Sequence, residues 1–377
     1  MNNHLITNKI FFASVVLTIS LFLILFNING FLAYKGMNTL DKVAMSVFAG
    51  KPRDIIEIKD SALNQQSGTS SVQYVILSFD GSRSLDMWRD TVNFALEMKN
   101  AGHPVHFTYF INPIYLLTKE KARADYYPPK SFPGNSKIGY ATSDDDIKRR
   151  VDAINNAYVN GHEIGSHAVG HFNGRSWSEE DWQKEFSQFS SIVDNAKLSF
   201  NSSSIKGFRA PELGINSSLY KVLAKNKFDY DSSDTALMGS FPKKDNNGIW
   251  HIGIGVVKID KERTDENGIK NKGKYKGGHT LAMDYNFWIV QSSGKDVVKS
   301  GDVLWTDFFN EVKSSYIDYF NKSYNGNRAP VVIGHHFSKW NDGVYWEALK
   351  SFTKEICVKP DVKCVTFGEY VKYLNSL

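Results

Sequence analysis

Two histidines stand four positions apart in the segment EIGSHAVGHF, as His167 and His171. Within one turn of chain such a pair presents two imidazoles to a common point, near enough to share a divalent cation through one ring nitrogen each. Alone, the spacing is a weak signal, because short motifs recur by chance. The helical zinc-protease pattern is excluded: it needs Glu directly after the first His, where Ala168 stands. Other chemically capable residues share one placement. Asp80 ends the apolar run QYVILSFD, Arg209 follows IKGF, Asp231 lies in FDYDSS, and His335 and His336 end PVVIGHH. Each has an ordinary reading: a turn Asp, a salt-bridge Arg, a core histidine beside a surface one. Their common position at or just past strand carboxyl ends is harder to dismiss, since α/β barrels assemble active sites on that rim.

The elements that must position them follow from the apolar pattern. Short apolar runs predict strands at 73–80, 104–111 and 162–167, and others in IKGFRA, FDYDSS and PVVIGHH. Between them Leu85, Trp88, Val92, Ala95 and Leu96 recur at helical spacing, with Gly102 as a stop signal. Ser178 and Asp181 open a helix whose core face is Trp182, Phe186, Phe189 and Val193. Further helical signals lie at 217–225 and 343–356, and Thr366 with Glu369 caps a last helix. Alternating strands and helices predict a parallel α/β architecture. Residues from about 240 to 300, with two Ile-Gly repeats and KNKGKYKGG, read as an insertion, and no long-period repeat is present.

The chain has 377 residues, 42% of them hydrophobic and 14% aromatic, which is enough for a sizeable core. Its net charge of +5 is spread without a Lys/Arg block, so nucleic acid is not an expected partner. Residues 10–26, IFFASVVLTISLFLILF, carry no charge and run longer than a usual secretory core. Residues 1–34 are therefore read first as an uncleaved signal anchor, one N-terminal transmembrane helix, and second as a cleaved signal peptide. Residues 35–71 are the linker, and residues 72–377 form the folded domain outside the cytoplasm, in the periplasm or cell envelope. Cys357 and Cys364 flank a Pro-Asp turn and fit a short structural disulfide in that compartment.

The order S-F-D-G, S-H-x3-H, F-R-A-P, D-S-S-D, then an apolar strand ending in His, resembles the polysaccharide deacetylases, the NodB-like fold of carbohydrate esterase family 4. The resemblance covers about residues 72–377, including the ending TFGEYVKYL. It implies a distorted (β/α)7 barrel and hydrolysis of N-acetyl, sometimes O-acetyl, groups on a polysaccharide such as peptidoglycan or a chitin-like glycan. It implies that His167 and His171 bind a metal, usually Zn²⁺, that Asp80 is the general base and that Arg209 orients it. By the same match Asp231 supports the catalytic histidine, and the general acid is His335, which directly ends the strand, or its neighbour His336. Trp340, Tyr285, Trp288 and His336 are candidate substrate contacts, although core packing explains aromatics as readily.

One departure matters: Gly81 stands where the family has a second Asp, the third metal ligand. Three explanations stay open. Asp80 itself serves the metal; or water or another residue such as Asp86 completes two histidines; or the metal is lost and the chain is a catalytically inactive glycan-binding protein on the same scaffold.

Overall fold

The computed structural model describes residues 72–259 and 278–377. The anchor or signal segment and the linker to residue 71 lie outside the described residues. Among the described residues, no helix is long and apolar enough to cross a membrane.

Along the chain run β1 (Gln73–Gly81), α1 (Leu85–Asn100), β2 (Thr108–Ile111), α2 (Lys119–Asp125), α3 (Asp144–Val159), β3 (Glu163–Ser166) and α4 (Glu179–Asn195). There follow β4 (Gly207–Phe208), α5 (Ser217–Lys225), β5 (Tyr230–Asp231), β6 (Thr235–Leu237), β7 (Lys243–Lys244), β8 (Trp250–His251) and β9 (Ile254–Lys258). Then come β10 (His279–Leu281), α6 (Asp284–Ser292), α7 (Val303–Tyr324), β11 (Val331–His336), α8 (Trp340–Ile356), β12 (Val362–Val365) and α9 (Phe367–Leu374).

The main sheet is ordered β11-β1-β2-β3-β4-β5-β8-β7, with β12 against the first half of β1. All its pairs are parallel except β7 with β8. The sheet curls into a half-barrel. Among the described residues β7 and β11 do not pair, so the distorted barrel expected from the sequence takes the form of an open, curled sheet. A second sheet, β10-β9-β6, is linked to β11 through a single bridge between Met283 and Gly334. The stretch read as an insertion is thus partly built into the domain, since β8 extends the main sheet.

Strand alternation sorts the side chains of β1. Phe79 meets the rings of Phe107, Tyr109, Phe337 and Trp346, in the layer beneath α1 and α8. On the other face Tyr74 and Ile76 join Phe110, Tyr230, Phe367, Tyr370, Val371 and Leu374 in a core under α9. Both faces are covered, which is why β1 reads as an unbroken apolar run. Asp80 shares the face of Tyr74 and Ile76.

The helices start where the sequence marks them. Ser178 and Asp181 make a reciprocal capping box on α4, and Thr366 and Glu369 make another on α9. Trp182 and Phe186 of α4 pack on Phe208. Cys357 and Cys364 form a disulfide, with Cα atoms 5.9 Å apart, between the end of α8 and β12.

Candidate active site

Asp80 is the last inward-facing residue of β1, and its carboxylate is buried. Arg209 donates from Nη1 to Asp80 Oδ1 at 2.7 Å, and neither side chain is more than 4% exposed. The guanidinium is held on every side. Nε donates to Ser232 O at 3.1 Å, Nη2 donates to Ser232 Oγ at 2.9 Å, and the plane lies over the Phe110 ring at 4.4 Å. Burial alone would raise the Asp80 pKa, but the charge and hydrogen bond of Arg209, with His336, outweigh it and hold the carboxyl below its usual range. The D-S-S-D motif thereby gains a structural purpose. Ser232 anchors Arg209, and Ser233 Oγ accepts from Ala210 N at 2.7 Å.

His167 follows β3 on the same inward face. Its Nδ1 donates to the Arg209 carbonyl at 2.7 Å, which leaves the Nε2 lone pair free. Its backbone carbonyl accepts from Asn112 Nδ2. The His171 ring centre lies 5.0 Å from that of His167. Burial pushes the His167 pKa down to about 3 and lowers that of His171 as well, so both imidazoles are neutral at neutral pH. The loop between them turns through left-handed residues at Ala168 and His171. A buried pair fixes it: Val169 N donates to Glu185 Oε1 at 2.8 Å, Gly170 N donates to Tyr126 Oη at 3.1 Å, and Tyr126 Oη donates to the Glu185 carboxylate at 3.1 Å.

The pair of neutral imidazoles has the donor chemistry a divalent transition metal asks for, so His167 and His171 fit such an ion. Among the described residues no group of three or more His, Cys, Asp or Glu is arranged to hold a metal. Asp86 is ruled out as a third donor, because it is exposed on the first turn of α1 and paired with Arg89 at 2.8 Å. Gly81 sits at φ +101°, and a Cβ there would meet nothing within 4 Å. The position is open space, but its backbone suits glycine.

Of the two histidines left open by the sequence, strand register favours His336. Asp80 pairs in register with His336, and Phe79 with His335, so His336 shares the inward face of Asp80. His336 Nδ1 lies 2.7 Å from Asp284 Oδ1, and its backbone N–H donates to Asp284 Oδ2 at 2.9 Å. Burial would lower the His336 pKa, but the Asp284 charge and hydrogen bond, with Asp80, raise it overall. His335 points outward to α7, where its Nε2 meets Tyr316 Oη at 3.0 Å. Burial pushes its pKa down to about 4 although Asp284 Oδ2 lies 3.7 Å from Nδ1. A ring held neutral and turned away from Asp80 is not placed to hand a proton to a substrate there.

Asp231 is likewise turned outward. It is in register with Phe208 and His251, its Oδ1 accepts from Ser233 Oγ, and its Oδ2 is 3.9 Å from His251 Nδ1. Burial lifts its pKa to about 6. It supports neither histidine of β11; Asp284 does. In the sequence Asp284 lies among the aromatics of MDYNFW, and no local pattern links it to His336.

Those aromatics form a wall beside His336. Trp288 and Trp340 stack at 4.6 Å and 5°, Tyr285 leans on both, and the Trp340 and Tyr285 ring centres lie 5.4 and 5.9 Å from that of His336. Tyr285 is 44% exposed, so the wall offers an open ring face.

Residues 73–230 match the family model described as polysaccharide deacetylase. A crystal structure from Mycobacterium smegmatis, named as a polysaccharide deacetylase, is 14% identical over 82% of this chain and 92% of its own, with a TM-score of 0.51. A family 4 acetyl xylan esterase from Clostridium thermocellum, solved with a cobalt ion, is 13% identical over 81% and 93%, with a TM-score of 0.42. No curated protein matches the chain. Over residues 73–230 the chain carries the sequence pattern of the polysaccharide deacetylases, a family of hydrolases, on the fold it shares with the mycobacterial structure.

Proposed function

We propose that this chain hydrolyses acetyl groups, N-acetyl before O-acetyl, on an extracytoplasmic polysaccharide such as peptidoglycan or a chitin-like glycan. The observation that carries the reading is the register of Asp80 with His336: a carboxylate of lowered pKa faces an imidazole of raised pKa across one strand pair. Such a split separates a base from an acid at neutral pH. His167 and His171 would hold the divalent cation, Zn²⁺ or a similar ion, which polarises the acetyl carbonyl and the attacking water. Asp80, oriented by Arg209, takes the proton of that water as its oxygen bonds to the acetyl carbon. His336, oriented by Asp284, gives a proton to the sugar nitrogen as the carbon–nitrogen bond breaks, and acetate and a free amine leave. The wall of Tyr285, Trp288 and Trp340 offers the sugar ring an apolar surface on the His336 side.

The apolar run at 10–26 supports export and anchoring by the N-terminal segment, and the Cys357–Cys364 disulfide supports an oxidising compartment. Acetate release from acetylated chitooligomers and peptidoglycan, abolished by chelator and by His167→Ala, is the test. No acetate from either substrate at micromolar protein would sink the enzymatic reading.

A second reading is favoured by Gly81 and the missing third donor: a glycan-binding protein on this scaffold. It expects glycan affinity that survives chelation and Asp80→Asn, with no turnover. Metal content after purification with zinc separates the two, about one ion per chain for the enzyme and none for the binding protein.

A further inference from the structure

Directly after Trp340 the backbone makes a left-handed turn. Asn341, Asp342 and Gly343 have φ of 51°, 56° and 76°, and Gly343 N donates back to Lys339 O at 3.0 Å. Left-handed conformation is ordinarily visited one residue at a time, by Gly, Asn or Asp, because Cβ crowds the following carbonyl. Three in a row persist only where surrounding contacts over-determine them, and such strain gathers at ligand clamps.

The contacts are present and converge on the aromatic wall. Asn341 is fully buried. Its Oδ1 accepts from Val297 N at 2.8 Å, and its Nδ2 donates to Ser292 Oγ at 3.1 Å and Tyr345 Oη at 2.9 Å. Asp342 Oδ2 accepts from Ser300 N at 2.9 Å. Asp296 Oδ1 accepts twice, from Asn341 N at 2.8 Å and from the Trp288 indole N–H at 3.1 Å. One oxygen thus ties the turn that carries Trp340 to the ring stacked on Trp340. Without the turn α8 would start straight from β11, and the mutual contact of the two indoles would have to hold them in place.

We propose that the turn Asn341–Gly343, clamped by the Asn341 side chain and Asp296, is a positioning device. It sets the stacked Trp288–Trp340 pair as a specificity surface for a pyranose ring beside His336. Asn341 acts through the indoles and touches no reacting atom. The sugar-binding part rests on the proposed function, whereas the placement of the indoles does not.

The test uses the full chain with Asn341→Ala, Asn341→Asp and Asp296→Ala. Near-ultraviolet circular dichroism reads the coupled indoles, and acetate-release kinetics on acetylated chitooligomers read the sugar site. Asn341→Ala is expected to lose the indole couplet and to raise KM roughly tenfold, with kcat changed less than about twofold, because uniform binding is what it removes. Asn341→Asp keeps the acceptor for Val297 N and tolerates the left-handed turn but gives up the Nδ2 donor, so it should restore only part of both signals. Asp296→Ala, on the loop after α6, should reproduce the loss in weaker form and replaces Asn341→Ala if that variant fails to fold. A couplet and KM unchanged in folded Asn341→Ala, or in Asp296→Ala in its place, overturn the proposal while the function stands. A wild-type protein that neither binds nor deacetylates the oligomers overturns the function and the sugar role, and the couplet alone then decides the positioning of the indoles.

Discussion

Exchanging the two adjacent histidines one at a time separates catalysis from packing. His336→Gln removes the group paired with Asp284 and in register with Asp80, and leaves the outward face of β11 untouched. Loss of a positioned general acid costs typically about 10²–10⁴ in rate, or ~3–5.5 kcal/mol of barrier. His335→Phe fills similar space among Phe79 and Tyr316 but leaves the buried Tyr316 hydroxyl without its ring nitrogen. An orphaned buried hydroxyl costs about 1–3 kcal/mol of stability. At roughly 2–4 °C per kcal/mol, that is a fall of several degrees in Tm. Acetate release and thermal unfolding on the same two preparations give the answer. The expected pattern is kcat lost with Tm nearly kept for His336→Gln, and Tm lowered with kcat within a few-fold for His335→Phe. If His335→Phe abolishes turnover at unchanged Tm while His336→Gln remains active, the reasoning from strand register is wrong.

Asp284→Asn should move the alkaline limb of the pH–rate profile to lower pH. His336 must be protonated to act, and activity falls as pH rises through the raised pKa that Asp284 sustains. Burial lifts the Glu185 pKa from 4.5 to about 7, so the folded state binds its proton more tightly than the unfolded one. The stability this gives is full below pH ~4.5 and is lost as pH rises through about 7, a change on the order of 3 kcal/mol. Glu185→Gln should flatten that slope in urea unfolding at pH 5 and 8; an equal slope in both proteins contradicts the assignment. Gly81→Asp restores the second carboxylate of the family pattern in the open space beside the end of β1, at a backbone cost of roughly 1–3 kcal/mol for its φ of +101°. Zinc titration should then show tighter binding together with a lower Tm, and unchanged affinity would argue that position 81 does not face the ion.

The rim was legible because it depends only on where apolar runs stop, and β1, β3 and β11 stop where Asp80, His167 and His336 begin to matter. Which of two neighbouring residues faces inward was not. A shift of one residue reverses the face of every side chain on a strand, and ending the strand at His335 instead of His336 made that shift. Asp231 was lost in the same way: Tyr230 takes the inward position on β5, bonding Glu163 at 2.9 Å, and turns its neighbour out. Asp284 was missed for another reason. It meets His336 across 52 positions, and no local period announces such a contact. The opening of the barrel has the same cause, since pairing of edge strands is a long-range outcome with no signature in either strand.

The site makes physical sense as two guarded groups of opposite tendency. Asp80 is buried and His336 partly so, and burial alone would neutralise each, raising the carboxyl and lowering the imidazole. That would leave an acid where a base is needed and a base where an acid is needed. A fixed charge of the opposite sign beside each reverses the drift, Arg209 for Asp80 and Asp284 for His336. Each guardian is itself locked from outside the pair, Arg209 by Ser232 and the Phe110 ring, Asp284 by the backbone N–H of Tyr285. The buried charges are therefore poor evidence for stability, since packed apolar residues would serve that end as well. Their arrangement is intelligible as a way to keep one proton donor and one proton acceptor apart in affinity and together in space.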